Sequence, residues 1–115
     1  MQNIFPNAGA GLSMLLGLMA LIWPAKTESF VSIKSVGKEG ASEIRATYGG
    51  FFVGISLFAL MSQSPVVFAA LGIGWLSAAV VRFVTLLFGF ATPKNIGGVV
   101  MECVIGVMCV SGLFI

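Results

Sequence analysis

Histidine and aspartate are absent from this chain, and its only acids are four glutamates. Without histidine there is no imidazole to move protons near neutral pH or to ligate a metal, so most familiar catalytic constellations are excluded and an enzyme is not expected. No metal site and no cofactor are expected either. Charge is scarce altogether: charged residues are 9% of the 115, against about 25% in an ordinary soluble domain. The net charge of +2 comes with no dense basic cluster, which removes nucleic acid from the partners to consider. The two cysteines, Cys103 and Cys109, lie six apart in an apolar segment. On a helix they point about 120° away from each other and do not pair, so they read as small buried side chains. Met1 to Ala10 holds no lysine or arginine, so the first apolar run lacks the basic leader of a secretory signal and is expected to be retained.

What fills the chain instead is apolar. Hydrophobic residues make up 58% and the mean hydropathy is +1.08, the composition of a membrane protein. Four segments, about 5–23, 43–61, 65–88 and 95–115, are long enough at about 1.5 Å per residue to cross a hydrocarbon core of about 30 Å. Prolines punctuate them. Pro6 suits a first helical turn, Pro24 ends the first span beside Trp23, Pro65 starts the third after the Ser62 to Ser64 turn, and Gly89 with Pro93 separates the third from the fourth. The expected fold is an all-α, integral membrane four-helix transmembrane bundle, a single domain over 1–115.

The polar loop 24–42 carries Lys26, Glu28, Lys34, Lys38 and Glu39. Within it Thr27 is placed to cap a short amphipathic helix in the headgroup layer, with Phe30 and Ile33 on one face and Gly37 stopping it. This loop and the Lys94 turn carry the lysines, whereas both termini and the Ser62 to Pro65 turn carry none. By the positive-inside rule the lysine-bearing loops face the cytoplasm of a bacterial inner membrane and both termini face the periplasm.

Small residues recur every three or four positions on each span: Gly9, Ser13 and Gly17; Glu43, Ala46, Gly50 and Gly54; Ala70, Gly74, Ala78 and Arg82; Gly98, Glu102 and Gly106. Such stripes let helices approach closely, so they are expected to be packing faces. A charge inside a bilayer costs several kcal/mol, so charges lying on those stripes should point into the bundle. Arg82 and Glu102 both lie roughly 10 Å from the lysine-bearing end and are expected to meet as a bidentate pair. Glu43, Arg45 and the Tyr48 hydroxyl sit nearer that end. Glu43 and Arg45 point about 200° apart, so one is expected to face the centre and the other to snorkel to the interface. The cluster admits two readings. It is an electrostatic clasp that sets helix register, or it lines a cytoplasm-facing pocket for an anionic or polar headgroup, or a proton or ion path, with Arg82 or Arg45 as the anion clamp, Glu102 or Glu43 as the titrating group and Tyr48 as a hydrogen-bond donor.

From Glu43 through Arg45, Ala46, Tyr48, Gly49 and Gly50 the chain resembles a family of small bacterial four-span membrane proteins known by a domain-of-unknown-function label. The resemblance is to a Glu-x-Arg-Ala-x-Tyr-Gly-Gly element opening the second span, an arginine in the third, matched by Arg82, and a glutamate in the fourth, matched by Glu102. It covers spans two to four and implies a fold and site positions without implying a chemistry. Where the family pattern has an acid and glycine before the last span, this chain has Lys94 and Asn95.

Two functional classes remain. One is a non-enzymatic accessory or scaffolding subunit, packed in a homo-oligomer or a larger membrane complex among lipids. The other is a transporter or binder of a small molecule, lipid or ion that uses Glu43, Arg45, Tyr48, Arg82 and Glu102. A quinone-linked redox role needs a site that the sequence does not display.

Overall fold

A computed structural model describes residues 4–31 and 36–114, and among these every regular element is helical. Helix α1 runs Ile4–Ile22, and a short α2 follows over Pro24–Val31. Helix α3 is continuous over Gly37–Ser62, α4 over Pro65–Gly89 and α5 over Pro93–Leu113. With α1, these last three are long and apolar enough to cross a membrane. The protein is an all-α, multi-pass membrane bundle.

Local chemistry explains the breaks. Ser64 caps α4 by accepting a hydrogen bond from the Val67 amide at 3.5 Å, with Pro65 in the first turn, and Thr92 caps α5 through the Asn95 amide at 3.1 Å, with Pro93 placed the same way. The α3 to α4 turn is closed by Gln63 in the left-handed region at φ 52. At its other end α4 stops where Gly89 takes φ 98, a conformation that costs glycine nothing.

The loop departs from its sequence reading. Thr27 is not a cap; it lies inside α2, 1% exposed, with its hydroxyl donating to the Trp23 carbonyl at 3.3 Å. Gly37, at φ 65, opens α3 rather than stopping α2, so the second span begins six residues earlier than position 43. Ile33 and Lys34 lie outside the described residues.

The bundle is flat, with extents of 42 × 32 × 16 Å. Helix α1 stands between α3 and α5, and α5 packs along α4. Contacts at small residues set these approaches. A Cβ added to Gly9 would fall 2.8 Å from Cys109 Sγ, one at Gly17 2.9 Å from Val53 and one at Gly49 3.2 Å from the Leu21 backbone. The closest crossing joins α4 to α5, where a Cβ on Gly72 would lie 2.7 Å from the Gly106 carbonyl oxygen. Cys103 and Cys109 are both free thiols.

The fourth side of this ring stays open. Helix α3 touches α4 through its Phe52–Ser62 half, near the turn that joins them, while Ile44–Phe51 stands apart. That segment is π-helical, a wider and less stable turn found disproportionately where proteins do something specific.

Candidate functional site

The seam between α3 and α4 opens into a cavity of about 640 Å³, within the 300–1,000 Å³ usual for ligand sites. One wall is Ala70, Gly74, Ala78 and Arg82 of α4, the four-residue stripe. The facing wall is Tyr48, Phe51, Phe52 and Ile55 of α3. Leu16 and Met19 of α1, Leu71 and Trp75 of α4 and Met101 of α5 form the floor, and Thr27 of α2 closes the lysine-bearing end. From Ala70 to Arg82 the groove extends roughly 18 Å at the helical rise.

Polar chemistry gathers at one end. Arg82 Nε donates to Glu102 Oε1 at 2.9 Å and Nη2 donates to Oε2 at 3.2 Å, the bidentate geometry of a strong charge-assisted pair. Nη1 donates to Asn95 Oδ1 at 3.4 Å. The Glu102 side chain is 7% exposed and that of Arg82 35%, so the carboxylate is the buried partner and the guanidinium borders the cavity. Gly98 makes this possible. A Cβ there would lie 3.1 Å from Arg82 Cδ and Nε, so the glycine leaves the slot along which the arginine reaches Glu102.

A second polar set fixes the floor. Trp75 Nε1 donates to Ser13 Oγ at 3.0 Å and Ser56 Oγ donates to the same oxygen at 2.9 Å, joining α4, α3 and α1 through one buried hydroxyl. The Trp75 ring lies 5.1 Å from Phe52, which meets Tyr48 edge-on at 5.8 Å. An aromatic chain thus leads from the buried serines to the phenol at the polar end.

The lysine-bearing end is also tied together. Lys26 Nζ lies 5.4 Å over the Trp23 ring, and Lys94 Nζ donates to the Ser29 carbonyl, which holds α2 across the start of α5. At the opposite end Asn7 and Gln63 exchange amide hydrogen bonds of 3.0 and 2.8 Å, joining α1 to the hairpin.

Of the five residues the sequence placed in the cluster, Arg82, Glu102 and Tyr48 border one cavity. Glu43 and Arg45 do not join them. Both are exposed, and Glu43 Oε1 accepts from Thr47 one turn along its own helix at 2.7 Å. Neither faces the centre, because the π-helical turns aim Tyr48 at the cavity and Gly49 at α1 instead.

The packing residues divide likewise. Gly9, Ser13, Gly17, Gly98 and Gly106 do lie in close contacts, Gly106 against Leu76 at 2.6 Å from an added Cβ. Gly54 and Gly74 have nothing within 4 Å of an added Cβ, and Gly50 meets only the Arg45 carbonyl at 3.9 Å. These three are not packing positions among the described residues. Close approach of α4 is made one face over, at Gly72, so the Ala70 to Arg82 stripe keeps the groove open instead of closing an interface.

Sequence reasoning missed Trp75, Ser56, Phe52, Thr27 and Asn95. One signal was present: an indole N–H and a hydroxyl in the middle of apolar spans each need a partner.

Comparison with curated proteins and with solved structures finds no match to this chain. A family model does match, from residue 2 to residue 113, and its description is Domain of unknown function (DUF4345). The chain, four apolar helices with a buried Arg82–Glu102 pair at the end of an open seam, therefore belongs to the DUF4345 family.

Proposed function

We propose that this protein binds a lipid-like amphiphile taken laterally from the bilayer, with its chain along the α3–α4 seam and its head at Arg82, Glu102 and Tyr48. The carrying observation is the cavity itself. It is apolar for most of its length, polar at one end, and open along the α3–α4 seam, where Phe51, Gly74 and Ala78 are exposed. Buried ionisable groups in membrane helices are functional candidates by default, and here the pair borders space that a ligand can enter. The open space beside Gly74 on the α4 stripe belongs to this cavity, which favours binding over an accessory or scaffolding role for that face. In this reading the lysine-bearing end faces the cytoplasm of a bacterial inner membrane, so the head lies on the cytoplasmic side.

Trp75 borders the cavity and is its own reporter. In a Trp23→Phe background it is the remaining tryptophan, because the chain has two. Lipids with brominated chains, added to unlabelled phosphatidylcholine vesicles, should quench Trp75 with saturation at low mole fraction. Ala78→Phe, which fills the groove from an exposed position, should abolish that saturating component. Quenching that merely follows bulk mole fraction for every lipid, with or without Ala78→Phe, would sink the proposal.

A further inference from the structure

The hydrogen-bonding inventory of the polar end restricts the head more tightly than its mere polarity. We infer that the groove selects an uncharged head that presents carbonyl oxygens, the diester head of a diacylglycerol-class lipid, over a phosphate. This rests on the reading of the seam as a lipid site.

Charge comes first. Arg82 and Glu102 neutralise each other through two hydrogen bonds of 2.9 and 3.2 Å. Among the described residues no other charged side chain borders the cavity, since Glu43 and Arg45 are exposed elsewhere. The site therefore carries no net charge. An anionic head would leave one uncompensated negative charge in a poorly hydrated space, and a cationic head one positive charge, each opposed by desolvation. An uncharged head meets no such penalty.

Donors and acceptors come second. A guanidinium has five N–H groups. Nε, Nη2 and Nη1 each spend one on Glu102 or Asn95, which leaves one on Nη1 and one on Nη2 of a side chain that borders the cavity. The Tyr48 hydroxyl adds a third. On the accepting side, both Glu102 oxygens are engaged by Arg82 and the side chain is 7% exposed. The site thus offers a surplus of donors without a surplus of charge, and the complementary ligand is rich in acceptors and uncharged. Ester carbonyls meet both conditions. Gly98 leaves room for this geometry, since a Cβ there would lie 3.1 Å from Arg82 Cδ and Nε.

The test uses the full-length Trp23→Phe protein in phosphatidylcholine vesicles and four probes with the same brominated chains: diacylglycerol, phosphatidic acid, phosphatidylglycerol and phosphatidylethanolamine. Diacylglycerol should reach half-maximal quenching of Trp75 at a mole fraction about tenfold below phosphatidic acid, equivalent to about 1.4 kcal/mol of preference. Glu102→Gln leaves Arg82 without its counter-charge, so the order should reverse in favour of phosphatidic acid. Tyr48→Phe leaves the ion pair intact and keeps the inference testable where Glu102→Gln does not fold. It should weaken diacylglycerol about three- to tenfold, the range of one interhelical-strength hydrogen bond. Saturable quenching in which phosphatidic acid, phosphatidylglycerol or phosphatidylethanolamine matches diacylglycerol would overturn the head assignment while the lipid site stands. Non-saturating quenching by all four would overturn both.

Discussion

Ser13→Ala should destabilise the bundle far more than the loss of one exposed hydroxyl. Ser13 Oγ accepts from Trp75 Nε1 at 3.0 Å and from Ser56 Oγ at 2.9 Å, and both serines are fully buried. Removing it orphans two donors on two other helices. Between membrane helices such bonds average about 0.6 and reach about 1.7 kcal/mol each, so the pair is worth about 1–3 kcal/mol. The two donors do not suffer equally. Ser56 can turn its hydroxyl toward a carbonyl one turn back on its own helix, whereas the indole N–H has a fixed direction and is left unsatisfied. Most of the loss should therefore be coupling to Trp75. The assay is equilibrium unfolding in mixed micelles for wild type, Ser13→Ala, Trp75→Phe and the double variant. Coupling between Ser13 and Trp75 should exceed about 0.6 kcal/mol, while Ser13→Ala in the Trp75→Phe background should cost less than in wild type. A coupling under about 0.3 kcal/mol, the scatter of independent sites, would refute the claim that one hydroxyl braces three helices.

Further predictions concern the pair, the crossing and the orientation. Glu102→Gln should cost about 1–3 kcal/mol, below the full penalty for breaking a buried pair because Arg82 is 35% exposed, as read by the same unfolding titration. The charge swap Arg82→Glu with Glu102→Arg should recover less than half of that loss, because the Gly98 slot serves an arginine on α4 and position 102 is buried. Gly72→Ala and Gly74→Ala, two residues apart, should move unfolding in opposite directions. The first forces a Cβ to within 2.7 Å of a backbone oxygen, and the second gains about 1 kcal/mol of helix propensity in open space. Equal effects would mean that α4 is rotated from the orientation described. In a chain stripped of its own two thiols, Lys94→Cys should be shielded from a membrane-impermeant maleimide on intact cells while Gln63→Cys reacts; the converse would invert the orientation.

What the amino-acid order determined by itself is what depends on a residue and its near neighbours. Apolar runs of spanning length, Pro65 and Pro93 behind their capping hydroxyls, and the scarcity of charge led to four membrane helices, since crossing a bilayer demands internally bonded backbone and apolar side chains whatever the neighbours are. The Arg82–Glu102 pair was legible for the same reason: two charges at equal depth on antiparallel spans have few other partners. The rotation of each helix was not legible. A small-residue stripe signals close approach or open space equally well, and only the crossing of Gly72 with Gly106 decided that Gly74 and Ala78 would face a groove. Glu43 and Arg45 stay outside because a π-helical stretch, which no propensity of Ile44 to Phe51 announces, turns Tyr48 inward in their place. Depth follows from counting residues along one helix, whereas facing follows from how four helices fill space together. The open seam is a property of that packing alone.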